Sequence, residues 1–211
     1  MEKLIFRTIT SEEETDLVLT KIEYYSGIRL PTGYAKKARI VGVFLQNKLV
    51  ASYMLVTQPG FRSLLFVPDE IRKSNTYLQT NQFQMMEVNG LWIGPALKTP
   101  VMQMKVWLHL IKDIFFCRKN IILLMRDSRN KNMERFLNMA NPQTIYKGSP
   151  LFMAGEQTHS EIQVSYTSRW KIVLNMHKYL VELRNRQRRA DHYAKQRTYD
   201  RTISQSDANF A

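Results

Sequence analysis

One stretch, residues 83–148, constrains the fold most, because its apolar pattern changes from strand-like to helix-like and back. Phe83 to Ile93 is rich in aromatic and branched residues and precedes Gly94-Pro95, which is typical of a strand that ends in a turn. Val101 to Phe116 carries apolar residues every three to four positions, as on one face of a helix. Ile121 to Met125 is a continuous apolar run, typical of a strand buried on both faces. This order predicts a right-handed β–α–β unit with two parallel strands.

The segments on either side of this unit predict further strands and helices. Leu4 to Ile9 is a predicted strand, and a helix is expected to begin at Thr10 or Ser11, where three glutamates follow a capping residue. Asn47 lies in a short polar segment between two apolar runs. Because asparagine tolerates positive φ, this segment predicts the turn of a β-hairpin. The strands of that hairpin are 40–45 and 49–56, and later elements are a helix at 132–140 and strands at 144–146 and 161–166.

Composition bounds the class of protein. The chain has 211 residues, 44% of them hydrophobic, which is enough for one sizeable core. The sequence contains no run of about 18 apolar residues, so a membrane-spanning helix is not expected. The N-terminus lacks the pattern of a secretory signal. Cys117 is the single cysteine, so neither an internal disulfide nor a cysteine-based metal site is expected. The four histidines show no metal-ligand spacing. These features favour a cytoplasmic protein without a metal.

The formal net charge of +13 indicates a polyanionic partner: nucleic acid, an anionic membrane surface or an acidic carrier protein. The charge is concentrated after residue 168, where ten Lys and Arg stand against four Asp and Glu. Arginine pairs with phosphate in a forked geometry. The predicted nucleic-acid contacts are therefore Arg184, Arg186, Arg188 and Arg189.

Three segments follow from these patterns: an α/β domain at 1–168, a basic helical extension at 169–203 and a disordered tail at 204–211. The extension is predicted to dock through one apolar helical face, and the arginines beyond that face are expected to project into solvent. The predicted face comprises Trp170, Val173, Leu174, His177, Leu180, Val181 and Arg184.

The order of elements resembles the GNAT (GCN5-related N-acetyltransferase) superfamily over roughly residues 3–165. The segment LWIGPALKTPVMQMKVWLHLIKDIFF is similar to that family's fourth strand, pyrophosphate loop and third helix. The segment NIILLMRDSRNKNMERFLNMANPQTIYKG is similar to its fifth strand, fourth helix and final strands. A looser similarity is to the acyl-homoserine-lactone synthases. The resemblance implies a mixed central sheet flanked by helices, followed here by the basic C-terminal extension.

The resemblance also implies a site. An acid on the fourth strand serves many GNAT enzymes as general base, which here implies Glu87, with Asn89 facing the same side. The donor would be acyl-CoA or the phosphopantetheine of an acyl carrier protein. Its arm is expected in a cleft between strands four and five lined by Leu91, Trp92, Ile93, Leu123, Met125 and Asn130. Its phosphates are expected at the backbone from Leu97 to Val101, with Lys98, Thr99 and Val101 as contacts.

Two functions therefore remain open. The first is N-acyl transfer by direct attack of an amine on a thioester, which the element order and Glu87 favour. The second is a GNAT-shaped protein that has lost catalysis and binds nucleic acid or a protein partner through its basic arm. Pro100 lacks an N–H, Val101 and Gln103 stand where the family usually has glycines, and no tyrosine occurs between Tyr77 and Tyr146 to act as general acid. These departures favour the second function.

Overall fold

The computed structural model describes residues 3–128, 131–150, 161–186, 188–189 and 191–192, without the side chain of Asn132. Seven strands in this part of the chain form one mixed sheet. They are β1 (Ile5–Thr8), β2 (Ala38–Leu45), β3 (Lys48–Val56), β4 (Met85–Ile93), β5 (Ile121–Asp127), β6 (Gln143–Gly148) and β7 (Ile162–Ser168). Their order is β1-β2-β3-β4-β5-β7-β6. The β4–β5 pair is parallel, and the other pairs are antiparallel.

The helices connect these strands and cover both faces of the sheet. They are α1 (Glu12–Ser26), α2 (Thr32–Ala35), α3 (Arg62–Leu65), α4 (Asp69–Ser74), α5 (Thr76–Thr80), α6 (Pro100–Phe116), α7 (Lys131–Asn138) and α8 (Arg169–Leu174). A further helix, α9, spans 176–186. The predicted central unit is thus confirmed as β4, α6 and β5.

The ends of α1 explain its position. The Ser11 hydroxyl accepts a hydrogen bond from the Glu14 N–H at 3.2 Å, and three glutamates occupy the first turn, where the helix dipole favours negative charge. Gly27 ends the helix with a φ of 69°, a conformation that glycine adopts without a steric penalty. This start matches the predicted one.

Alternate residues of the central strands pack on opposite faces. On one face, Met86 and Leu124 join the core that α6 and α7 cover. On the other face, Met54 and Trp92 pack against Ile22 and its neighbours on α1. The sheet therefore has an α6 face and an α1 face.

The parallel pair β4–β5 separates after three residues. Only Met85–Glu87 pairs with Ile121–Leu123; beyond this point β4 continues along β3, and β5 continues along β7. A bulge in β4 accompanies the separation, since three steps from Asn89 to Trp92 face two steps on β3. Gly90 lies in this bulge with a φ of 56°, and a Cβ there would lie 2.7 Å from Cδ1 of Ile22. The sequence thus opens a gap in the middle of the sheet.

The C-terminal helices correct one prediction. The buried residues are Ile172, Tyr179 and Leu183, which pack in the core beside α6 and α7. Trp170, Leu174 and Val181, on the predicted apolar face, are more than half exposed. A turn at Asn175 separates α8 from α9, so a single helical phase does not apply to the whole segment. The predicted tail at 204–211 and residues 193–203 of the predicted extension lie outside the described residues.

Candidate active site

A cavity of about 390 Å³ passes through the sheet at the gap between β4 and β5. Its walls come from β4 and β5 and from helices on both faces of the sheet. This size and position are typical of a small-molecule site, because the separated strands leave backbone groups free to meet a ligand.

The half of the cavity on the α6 face is mostly apolar, and the one charged lining residue described there, Arg126, is paired with Glu134 of α7 at 2.9 Å. Leu110, Ile111 and Ile114 of α6 form one wall. Opposite them, the Phe136 ring packs at tilted angles against Trp107 and Tyr179, with ring centroids 4.0 and 4.8 Å apart. Such a lining favours a hydrocarbon group over a charged one.

The half on the α1 face carries the polar groups. Asn89, Arg62 and Ser26 line it, beside Tyr25, whose ring stacks on Trp92 with centroids 5.2 Å apart. The Asn89 side chain donates from Nδ2 to the Tyr34 hydroxyl at 3.2 Å and accepts from the Gly90 N–H at 2.7 Å. This half can therefore hold a polar group near the gap.

Glu87 lies beneath this polar half and is 1% exposed. Its carboxylate accepts three hydrogen bonds of 2.8 Å: from the Tyr34 hydroxyl and from the backbone N–H groups of Arg62 and Ser63. Burial raises the pKa of Glu87 above its ordinary value, although these hydrogen bonds oppose the rise. Glu87 is not among the residues that line the cavity. It holds the start of α3 and the Tyr34 hydroxyl in place.

Arg62 is a site residue for which the sequence gives no signal. Arg62 is the first residue of α3, and its guanidinium carbon lies 5.0 Å from the centroid of the Phe66 ring. Arg62 is 5% exposed and lines the cavity. Within the described part of the chain, its buried Nη2 has no hydrogen-bond partner.

Solved structures share this arrangement of strands and helices. FeeM, an N-acyl amino acid synthase from uncultured soil microbes, superposes with a TM-score of 0.58 at 10% identity, over 80% of this chain and 92% of that one. Arabidopsis thaliana NAA60 in complex with acetyl-CoA gives a TM-score of 0.54 at 10% identity, over 79% and 98%. The fold is that of the GNAT acyltransferases.

A third structure has the same GNAT fold. The Drosophila melanogaster polyamine N-acetyltransferase superposes with a TM-score of 0.53 at 10% identity, over 79% of this chain and 100% of that one. No protein-family model matches the sequence. A search of curated proteins finds no match either.

Within this GNAT fold, the residues predicted for the donor arm fall into two groups. Leu91, Trp92 and Met125 line the cavity, whereas Ile93 and Leu123 do not. Leu123 still pairs with Glu87, just before the strands separate. Asn130 lies outside the described residues.

The residues predicted for the phosphates lie at the start of α6 and do not line the cavity. The Thr99 hydroxyl accepts from the Met102 N–H at 3.3 Å, and the Thr99 carbonyl accepts from Met102 and Gln103. Pro100 has no N–H. The Val101 N–H has no acceptor among the described residues, and the exposed side chain of Lys98 lies nearby in the sequence. A single free N–H offers an anion fewer donors than the cradle of several N–H groups that the resemblance implies.

The predicted nucleic-acid contacts on α9 and beyond are of two kinds. Arg186 and Arg189 pair with Glu182 at 3.1 and 3.0 Å. Arg184 and Arg188 are exposed and form no ion pair with another described residue. The structure thus divides the four arginines into two that are ion-paired with Glu182 and two that are not paired with a described residue.

The described residues contain neither a metal-ligand cluster nor a membrane-spanning helix. No group of three His, Cys, Asp or Glu side chains there could hold a metal ion. None of the described helices combines the length and apolar character needed to cross a membrane.

Proposed function

We propose that the protein is an N-acyltransferase that moves the acyl group of a thioester to an amine. One observation carries the proposal: the cavity passes through the sheet at the β4–β5 gap, with a mostly apolar half on one face and a polar half on the other. The thioester would lie at the gap, with its acyl chain in the apolar half and the amine in the polar half.

The donor is acyl-CoA or the phosphopantetheine of an acyl carrier protein. Both carry an extended arm with amide groups, and the strand edges exposed after Glu87 and Leu123 offer backbone partners to such an arm. NAA60, which shares the fold, was solved in complex with acetyl-CoA. The start of α6, with Lys98 and the Val101 N–H, is the proposed phosphate contact.

The acyl chain is proposed to be longer than acetyl. The residues that α6, α7 and α9 contribute to the cavity are apolar, and a two-carbon acyl group would leave most of the space beside them empty. Each buried methylene contributes about 0.8 kcal/mol, which corresponds to about fourfold in affinity. A chain of eight to twelve carbons would therefore gain most from this half of the cavity.

The chemistry is a direct displacement. The amine nitrogen forms a bond to the thioester carbonyl carbon, the C–S bond breaks, and the proton lost by the amine balances the thiolate that leaves. Glu87 remains the proposed base, with Asn89 orienting Tyr34 beside it. Since Tyr34 and two backbone groups occupy its oxygens, Glu87 would receive the proton through Tyr34 or a water.

Thermal stability in the presence of acyl-CoAs tests the proposal. A ligand that binds the native state raises the melting temperature, so dodecanoyl-CoA should raise it more than acetyl-CoA at equal concentration. Ala140 lines the apolar half, and Ala140→Leu should lower the affinity for dodecanoyl-CoA by at least about tenfold, because it fills the space of two or three methylenes. Its effect on acetyl-CoA should be small.

Ala35→Leu is the matched control, since Ala35 is equally buried but lies on α2, away from the cavity. Overpacking there should cost stability without changing the preference for chain length. If no acyl-CoA stabilises the wild-type protein and no acyl carrier thioester does so, the acyltransferase proposal is wrong.

A further inference from the structure

Arg62 is a buried cation whose polar atoms are incompletely used. Its side chain is 5% exposed, and Nη2 has no hydrogen-bond partner in the described part of the chain. Burying a charge is costly unless the charge is paired and hydrogen-bonded. Burial also lowers the pKa of the guanidinium, although Tyr34 and Glu87 oppose this. Such a group needs a partner that the described residues do not supply.

Glu87 is not that partner. Its contact with Arg62 is made by the backbone N–H of Arg62, and the guanidinium forms no ion pair with a described carboxylate. The side chain instead rests beside the Phe66 ring, which supplies no hydrogen-bond acceptor in the plane of the guanidinium. The free donors therefore belong to the polar half of the cavity.

The position of Arg62 separates it from the phosphates of the donor. Arg62 lies on the α1 face, next to Glu87, whereas α6 covers the opposite face of the sheet. The proposed phosphate contacts, Lys98 and the Val101 N–H, are at the start of α6. An anion at Arg62 would thus arrive with the acceptor and not with the donor.

We infer that Arg62 binds a carboxylate of the acceptor, and that the acceptor is an α-amino acid. This inference rests on the proposed function, which supplies the amine. A guanidinium offers two parallel N–H donors that match the two oxygens of a carboxylate. In an α-amino acid the amine is two bonds from the carboxyl carbon. Binding at Arg62 therefore keeps the amine in the polar half, beside Asn89 and the gap.

A pair of product analogues tests the inference without catalysis. N-decanoylglycine carries the acyl chain, the amide and the carboxylate, and N-ethyldecanamide differs by a methyl group in place of the carboxylate. Calorimetric titration of the wild-type protein should show tighter binding of N-decanoylglycine by about 10- to 100-fold, as expected for a charge-assisted pair in a buried site.

Variants assign this preference to one side chain. Arg62→Met should abolish the preference and leave the affinity for N-ethyldecanamide nearly unchanged, while Arg62→Lys should retain part of it. The hydrogen bond from residue 62 to Glu87 is made by the backbone and survives both changes. Arg29→Met is the matched control, because Arg29 lies between cavity residues Ile28 and Leu30 but its side chain is 80% exposed.

The outcomes separate the two proposals. If the wild-type protein binds both analogues equally, the inference about Arg62 is overturned while the acyl site stands. If Arg62→Met keeps the full preference, the carboxylate is bound elsewhere and the inference is wrong. If the wild-type protein binds neither analogue, both proposals fail. The comparison of the two analogues on wild-type protein does not depend on the folding of any variant.

Discussion

Glu87 is held by three donors, yet its burial opposes its ionisation. Because its pKa is raised in the folded protein, the native state binds its proton more tightly than the unfolded chain does. The contribution of Glu87 to stability is therefore greatest below its ordinary pKa of 4.5 and is lost as the pH rises from there through the raised pKa.

We predict that the stability of the wild-type protein relative to Glu87→Gln decreases as the pH rises above about 4.5. Glutamine cannot ionise, so the variant lacks this pH dependence. Chemical denaturation of both proteins at several pH values measures the difference in unfolding free energy.

Glu14→Gln should show the opposite trend. The hydrogen bond from Arg7 lowers the pKa of Glu14, so the wild-type advantage over that variant should grow as the pH rises toward the ordinary pKa of Glu14 and become constant above it. A wild-type advantage over Glu87→Gln that also grows with pH would mean that the three hydrogen bonds outweigh burial.

At the scale of single elements, α8 and α9 show what periodicity can and cannot predict. The sequence indicates an amphipathic segment that docks on the domain, and docking is found. The predicted face is wrong because the turn at Asn175 changes the helical phase, so Tyr179 and Leu183 point inward in α9 in place of Leu180 and Val181. Apolar residues on both sides of a helix leave its orientation to tertiary packing.

Leu183→Ala should therefore lower the free energy of unfolding by about 2–5 kcal/mol, as expected when a buried leucine leaves a cavity. Leu183 is 4% exposed and packs in the core beside α6 and α7. Val181→Ala, two residues away and 55% exposed, should change it by no more than about 0.5 kcal/mol. Urea denaturation of the two variants measures both values. The reverse ranking would support the face predicted from the sequence.

At the scale of the whole molecule, the order of elements could be predicted because each strand and helix leaves a local pattern. The central β–α–β unit, the hairpin and β7 all follow from apolar periodicity and turn residues. The separation of β4 and β5 was expected from the family resemblance, and the pairing confirms it. Local patterns and a familiar order were sufficient for the architecture.

The candidate site was less predictable because its contacts are distant in sequence. Glu87 meets Arg62 and Ser63 across more than twenty residues, and Tyr34 across more than fifty. The segment from Phe61 to Gln82 has no clear period, so nothing in it indicated that Arg62 would be buried beside a cavity. A buried polar group can be identified only when the partners around it are known.

The charge of the whole molecule leads to the last prediction. The sequence attributes polyanion binding to four arginines near the C-terminus, but Arg186 and Arg189 already share Glu182 at 3.1 and 3.0 Å, with Arg135 at 3.9 Å. A cation that must first leave an ion pair displaces fewer counterions from a nucleic acid on balance than an unpaired cation that neutralises a phosphate. Any contribution of this segment to nucleic-acid binding should therefore depend mainly on Arg184 and Arg188.

We expect the double variant Arg184→Gln/Arg188→Gln to reduce the slope of log affinity against log salt for single-stranded RNA by about 1.4 units, since each lost phosphate contact is worth about 0.7. Arg186→Gln/Arg189→Gln is the charge-matched control and should change the slope less, because its cations already neutralise Glu182. Fluorescence anisotropy over a series of salt concentrations measures both slopes. Equal slopes for the two double variants would show that the ion pairs with Glu182 open on binding. Absence of both RNA and DNA binding at low salt would overturn the nucleic-acid prediction and favour an acidic protein as the partner of this segment.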